Sequence, residues 1–225
     1  MALWPRYGAA RRLVQRCFAL WLGALLLALA GSAPARAAEP LIWAFGDSLT
    51  AGYGLPPADG FTAQLERALR RSGVQARVRN GGISGDTAAQ GRARLLWGLR
   101  GLGAKPDLVI VELGANDMLR GLPPAQARAN LDLILAELKR RKIPVLLAGM
   151  KASRNLGPDY VRAFDAIYPD LARKYGARLY PFFLDGVAGN RALVQADGLH
   201  PNARGVAILV ARILPAVRGA LRAPR

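Results

Sequence analysis

Between residues 41 and 222, short and wholly apolar runs alternate with longer segments whose apolar positions recur every third or fourth residue. Leu41-Ile42-Trp43-Ala44-Phe45 is a run of strand length that ends at Gly46. Phe61 to Arg71 sets Phe61, Leu65, Ala68 and Leu69 at helical spacing and stops at Ser72-Gly73, which predicts an amphipathic helix. Val74 to Arg79 predicts a second strand, followed by the turn-rich string Asn80 to Asp86. Thr87 to Leu99 predicts a helix with Leu95, Leu96 and Leu99 on one face. Asp107 to Leu113 is the strongest strand, because a run apolar on both faces suits a buried parallel strand. Pro123-Pro124 opens a helix reaching Lys142, Pro144 to Gly149 predicts a fourth strand, and Asp159 to Tyr175 a helix. Arg178 to Phe182 predicts a short fifth strand, and Pro201 opens a last helix to about Leu221. Strands that each lead into a helix predict an α/β fold: a three-layer α/β/α sandwich around a roughly five-stranded parallel sheet.

Ligands of such sheets bind beyond the carboxyl ends of the strands. Four loops with chemically useful residues fall there: Ser48 after strand one, Ser84-Gly85-Asp86 after strand two, Gly114-Ala115-Asn116-Asp117 after strand three, and the loop of Asp197 and His200 before the last helix. A serine hydroxyl attacks only when a base removes its proton, and near pH 7 that base is usually a neutral imidazole. The chain has one histidine, His200, so the candidate base is named directly. Ser48, His200 and Asp197 are candidate nucleophile, base and orienting carboxylate. Each alone has a plainer reading, as a helix cap, a surface histidine and a turn aspartate. Gly85, ahead of a helix, and Asn116, with a neutral NH₂ group, are candidate oxyanion donors; a turn glycine and a strand-closing asparagine are their plainer readings.

Composition narrows the chemistry. The single cysteine, Cys17, leaves the rest of the chain without disulfides, thiol nucleophiles or cysteine ligands. With one histidine and no His-Glu-x-x-His string, no metal is expected, and no organic cofactor is called for. Gly-x-Ser-x-Gly is absent around Ser48, and the glycines at 81–85 lack the lysine and hydroxyl of a phosphate loop. Residues 1–37 combine Arg6, Arg11, Arg12 and Arg16 with the apolar stretch Cys17 to Ala30 and the small residues of Ala35-Arg36-Ala37. That is the pattern of a signal peptide cut after Ala37, with a retained anchor as the alternative. The expected mature part is one domain, 38–225, periplasmic or secreted. The full chain carries +17; five of its basic residues precede Ala38, leaving 27 basic against 15 acidic residues, or +12. The arginines are spread along helices without interleaved aromatics, so solvated faces are expected rather than a nucleic-acid site. Transient contact with anionic lipid surfaces is compatible with this charge.

Taken together, Gly46-Asp47-Ser48-Leu49, Gly81 to Thr87, Gly114-Ala115-Asn116-Asp117 and Asp197-Gly198-Leu199-His200-Pro201-Asn202 resemble, in order, the four blocks of the SGNH (GDSL) hydrolase family. Leu49 to Gly54, Val111 to Gly114 and Met118 to Gly121 are similar to its bacterial periplasmic group, which combines arylesterase, lysophospholipase and acyl-CoA thioesterase activities. The resemblance implies a flavodoxin-like sheet and hydrolysis of esters and thioesters through an acyl-serine. It implies Ser48 as nucleophile, His200 as base oriented by Asp197, and an oxyanion hole of Ser48 N–H, Gly85 N–H and the Asn116 amide. Ala115 stands where close relatives often have glycine.

The expected partner is a small-molecule ester or acyl lipid. Apolar residues near the strand-end loops (Tyr53, Met118, Leu119, Leu122 and Phe182, with Leu49, Leu55 and Phe183) are candidates to line an acyl groove, and about half are expected to be core. Two alternatives stand beside this reading: a carbohydrate acetylesterase of the same fold, and a non-catalytic acyl-lipid binder.

Overall fold

The computed structural model describes residues 39–222 together with Val14, Gln15, Phe18 and Trp21. The chain divides into two units, Met1–Ala38 and Glu39–Arg225. In the first, the four described residues are helical and exposed; the expected cleavage position and most of the apolar run lie outside the described residues. Among the described residues no helix is long and apolar enough to cross a membrane.

The second unit is built on five parallel strands in the order β2-β1-β3-β4-β5, with β1 Leu41–Gly46, β2 Arg77–Gly82, β3 Leu108–Glu112, β4 Val145–Ala148 and β5 Arg178–Tyr180. This is the expected α/β sheet with helices packed against it, in the flavodoxin-like order. Every residue of β1 and β3 is buried, as strands covered on both faces must be. Eight helices follow in chain order among the described residues: α1 Ser48–Ala51, α2 Phe61–Arg71, α3 Ala88–Gly101, α4 Ala115–Leu119, α5 Pro124–Arg140, α6 Pro158–Asp165, α7 Ile167–Tyr175 and α8 Ala203–Arg222. Helix α2 packs on α8, while α3 packs on α5 and α5 on α6 and α7.

Two expectations need correction. The second strand starts at Arg77 rather than Val74 and runs through Asn80-Gly81-Gly82, which had the look of a turn. A Cβ at Gly81 would collide with the Trp43 indole, and one at Gly82 with the backbone of Ala51. The glycines therefore let an edge strand lie tightly against β1 and α1. The helix expected over 159–175 is two helices that meet at Ala166. Pro169 has no N–H to give and crowds the carbonyl of Asp165, so the chain restarts its helix just before the proline.

The strand order reverses between β1 and β3, and the carboxyl edge at such a reversal is where open parallel sheets bind their ligands. Ser48 follows β1 and Asn116 follows β3. The topology alone therefore brings the first and third sequence blocks to one place.

Candidate active site

Ser48 opens α1 two residues beyond β1, and Asp47 caps that turn by accepting from Leu49 N at 3.0 Å. Ser48 Oγ lies 2.9 Å from His200 Nε2. On the far side of the ring, His200 Nδ1 lies 2.6 Å from Asp197 Oδ2. The other carboxylate oxygen accepts from Leu199 N at 2.9 Å and His200 N at 3.0 Å. The backbone N–H groups of His200 and Leu199, followed by the imidazole, hold the Asp197 carboxyl down to about 2, so it is ionised at any ordinary pH. A carboxylate at Nδ1 requires the proton on that nitrogen. The Nε2 lone pair then faces the Ser48 hydroxyl, which is the tautomer a base needs.

The histidine loop is braced against α1's exit. Gln195 Nε2 donates to Tyr53 O at 2.7 Å and Pro201 O at 3.0 Å, and Gln195 N donates to His200 O at 2.7 Å. The Tyr53 ring lies against the imidazole, tilted by 39°, with centroids 4.6 Å apart. On the opposite side, Gly85 has φ +86°, the left-handed region that glycine enters freely. A Cβ there would meet only Arg120 Nη2, at 3.7 Å, and that guanidinium donates to Gly85 O at 2.7 Å. Asn116 Nδ2 donates to Asp47 Oδ2 at 3.1 Å and Asp86 O at 3.0 Å, linking the loops after all three strands.

Residues 44–208 match the model of the GDSL-like lipase/acylhydrolase family. The chain belongs to this family. Esterase TesA of Pseudomonas aeruginosa is 40% identical over 183 residues, spanning 81% of this chain and 90% of that protein. Thioesterase 1/protease 1/lysophospholipase L1 of Escherichia coli K12 is 40% identical over 168 residues, 75% of this chain and 78% of that protein. Among solved structures, the SGNH-hydrolase family esterase AlinE4 is 56% identical with a TM-score of 0.70, covering 82% of this chain and 98% of that one. The resemblance carried by the four blocks is thereby borne out.

Beside Ser48 of this GDSL hydrolase lies a feature that the blocks did not announce. Glu112 ends β3 with no exposure, and its Oε2 accepts from Thr50 Oγ1 at 2.7 Å and Asp47 N at 3.4 Å. Its Oε1 has no hydrogen-bond partner among the described residues. Burial, and then the charge of Asp47, push the Glu112 carboxyl well above its usual range. Burial also pushes Asp47 up to about 6, against the pull of Leu49 N–H, His200, Glu112 and Asn116. Two adjoining buried carboxyls cannot both ionise cheaply, so the pair keeps a proton above the pH at which a free carboxyl loses its own. A lone acid inside the run Leu108 to Leu113 was the sequence signal for it. Asp117, also buried, accepts from Ala88 N at 2.8 Å and ties the start of α3 to α4.

The expected groove residues are placed by their elements. Met118, half-buried, and Leu119, exposed, follow Asn116 on α4. Leu122 is half-buried, with its carbonyl accepting from Tyr160 Oη at 2.8 Å. Phe182 is half-buried beyond β5, with Lys151 Nζ 5.4 Å over its ring. Phe183 is core, edge-on to Phe61 at 5.0 Å, and Leu49 and Leu55 pack against the core. Ile83 and Leu199, exposed in the second and fourth blocks, are apolar rim residues that the sequence reading did not single out.

Proposed function

We propose that this hydrolase is a serine esterase and thioesterase working through an acyl-serine. The observation that carries the proposal is the continuous relay of 2.9 Å and 2.6 Å from Ser48 through His200 to Asp197, at the carboxyl edge where the strand order reverses. His200 Nε2 takes the hydroxyl proton as Oγ attacks the acyl carbon, and Asp197 stabilises the imidazolium that forms. The negative charge developing on the acyl oxygen is met by Ser48 N–H, Gly85 N–H and Asn116. Since both Asn116 N–H groups are engaged in the free protein, the oxyanion shares or displaces one of those acceptors. His200 then gives its proton to the leaving alcohol or thiol, and water repeats the sequence to release the acid.

The relatives named esterase, arylesterase and lysophospholipase support carboxylic esters, lysophospholipids and acyl thioesters as substrates. Exposed Tyr53, Ile83, Leu119 and Leu199 give the rim an apolar character suited to acyl chains. The N-terminal pattern of residues 1–37 supports export to the periplasm or beyond, with 38–225 as the working domain.

The test is initial rates on p-nitrophenyl esters from acetate to palmitate, for the wild type beside Ser48→Ala. Turnover that rises with chain length and disappears in the variant is expected. Activity confined to acetate points instead to the acetylesterase. An absence of Ser48-dependent turnover on any ester leaves the binder.

A further inference from the structure

Arg94 lies on the second turn of α3 and takes no part in the chemistry above, yet its guanidinium is among the most fully engaged polar groups near the rim. Nε donates to Asp86 Oδ2 at 2.5 Å, Nη1 to Gly81 O at 2.9 Å and Nη2 to Gly46 O at 2.8 Å. Its Cζ stands 4.3 Å over the Phe45 ring. The side chain is 15% exposed and that of Asp86 8%. One planar fork therefore holds the last residue of β1, the penultimate residue of β2 and the loop that leads into α3.

Two of these three anchor points, Gly46 and Asp86, stand within two residues of a group assigned to the oxyanion hole. Gly46 precedes Ser48 by two residues, and its carbonyl also accepts from Ile83 N at 3.1 Å. Asp86 directly follows Gly85, and its own carbonyl is the 3.0 Å acceptor of Asn116 Nδ2. Three donors on three separate loops must agree in position to within a fraction of an ångström to meet one oxygen. Backbone pairing ends where the strands end, so it cannot supply that agreement. A rigid five-donor fork bonded to the ends of β1 and β2 and to Asp86 fixes the first two loops, and the Asp86 carbonyl under Asn116 Nδ2 carries that hold to the third.

We propose that Arg94, with Asp86, is a positioning residue that sets the mutual register of Ser48 N–H, Gly85 N–H and the Asn116 amide. The proposal rests on the acyl-serine reading of the site. Its consequence is specific: disturbing Arg94 weakens stabilisation of the tetrahedral state more than it weakens substrate binding.

Arg94→Lys keeps a cation beside Asp86, but one compact ammonium cannot reach all three acceptors. With a p-nitrophenyl ester, kcat is expected to fall about 10–10²-fold while KM stays within about twofold. An alkylboronic acid, which mimics the tetrahedral state, loses affinity by a similar factor, and the product carboxylate does not. Combined with Asn116→Ala, the losses are less than multiplicative, because both act on one assembly. In ¹⁵N spectra the Gly85 amide and the Asn116 side-chain NH₂ pair shift in Arg94→Lys. If that variant does not fold, Asp86→Ala removes the tie from the other end while both carbonyl bonds remain, and the same split is expected. The proposal is overturned if a folded variant keeps kcat within about twofold of wild type. It is equally overturned if the loss falls on KM, or multiplies in full with that of Asn116→Ala. Failure of the acyl-serine reading looks different, as turnover surviving in Ser48→Ala; the Gly85 and Asn116 signals then decide for or against Arg94 on their own.

Discussion

Replacing Glu112 by glutamine should make the protein relatively more stable as the pH rises, and the size of the effect follows from where the carboxyl sits. Glu112 has no exposure, one of its oxygens is served by Thr50 and Asp47 N, and the other has no partner among the described residues. Burial and the neighbouring Asp47 hold its proton well above the ordinary value of 4.5. In the unfolded chain the group ionises near that ordinary value, so at higher pH the native state binds a proton that the unfolded state has lost. Stability must then fall as pH rises, by about 1.4 kcal/mol per unit for one proton, until Glu112 ionises in the native state as well. Glutamine has no proton to release, and its carbonyl can keep the bonds from Thr50 Oγ1 and Asp47 N. The stability of Glu112→Gln relative to wild type should therefore grow as the pH rises above the ordinary carboxyl range, at up to about 1.4 kcal/mol per pH unit. Any fixed penalty from reshaping the site cancels in this comparison. Urea unfolding of both proteins at pH 5, 6 and 7 measures it. A gap that does not change with pH means the proton is not retained, and the reading of the Asp47–Glu112 pair fails. Because glutamine mimics the protonated acid, turnover at pH 7 should stay within a few-fold of wild type.

Two further outcomes bear on the rim itself. Asn116→Ala should lower kcat by on the order of 10²–10³ with little change in KM, as for a lost oxyanion donor; an unchanged kcat removes Asn116 from that role. Asp197→Asn should leave the fold intact and lower kcat by on the order of 10⁴, because an amide at Nδ1 no longer enforces the tautomer. Since the folded protein holds Asp197 at about 2 against an ordinary 3.8, its carboxylate stabilises the fold above pH 3.8, and that contribution disappears as the pH falls through 2. The melting-temperature difference between wild type and Asp197→Asn should accordingly narrow between pH 4 and pH 2.

The chain's own pattern was enough for the layered α/β sheet. Buried parallel strands leave continuous runs such as Leu108 to Val111, and amphipathic helices leave the spacing of Phe61, Leu65 and Leu69. It singled out Ser48, Asp197 and His200 as well, which the fold brings within hydrogen-bond reach of one another, since a single histidine leaves one base to consider and the four blocks are ordered. It misplaced the start of β2 and joined α6 to α7, where local propensity competes with contacts from distant segments: the Trp43 ring under Gly81 in the first case, a proline's clash one turn back in the second.

What only the tertiary structure decided are the groups whose meaning depends on partners far along the chain. Arg94 reads as one more arginine on a basic helix until Gly46, 48 residues earlier, is found at its Nη2. Glu112 reads as an acid at a strand end until folding buries it completely against Thr50 and Asp47. Gln195 and Tyr53 carry no motif, and they meet across 142 residues to brace the histidine loop. Residue type and spacing encode chemistry that is local or repeated. The protonation of a buried pair, and the register of the loops after β1, β2 and β3, depend on desolvation and on distances that exist only once the strands have paired.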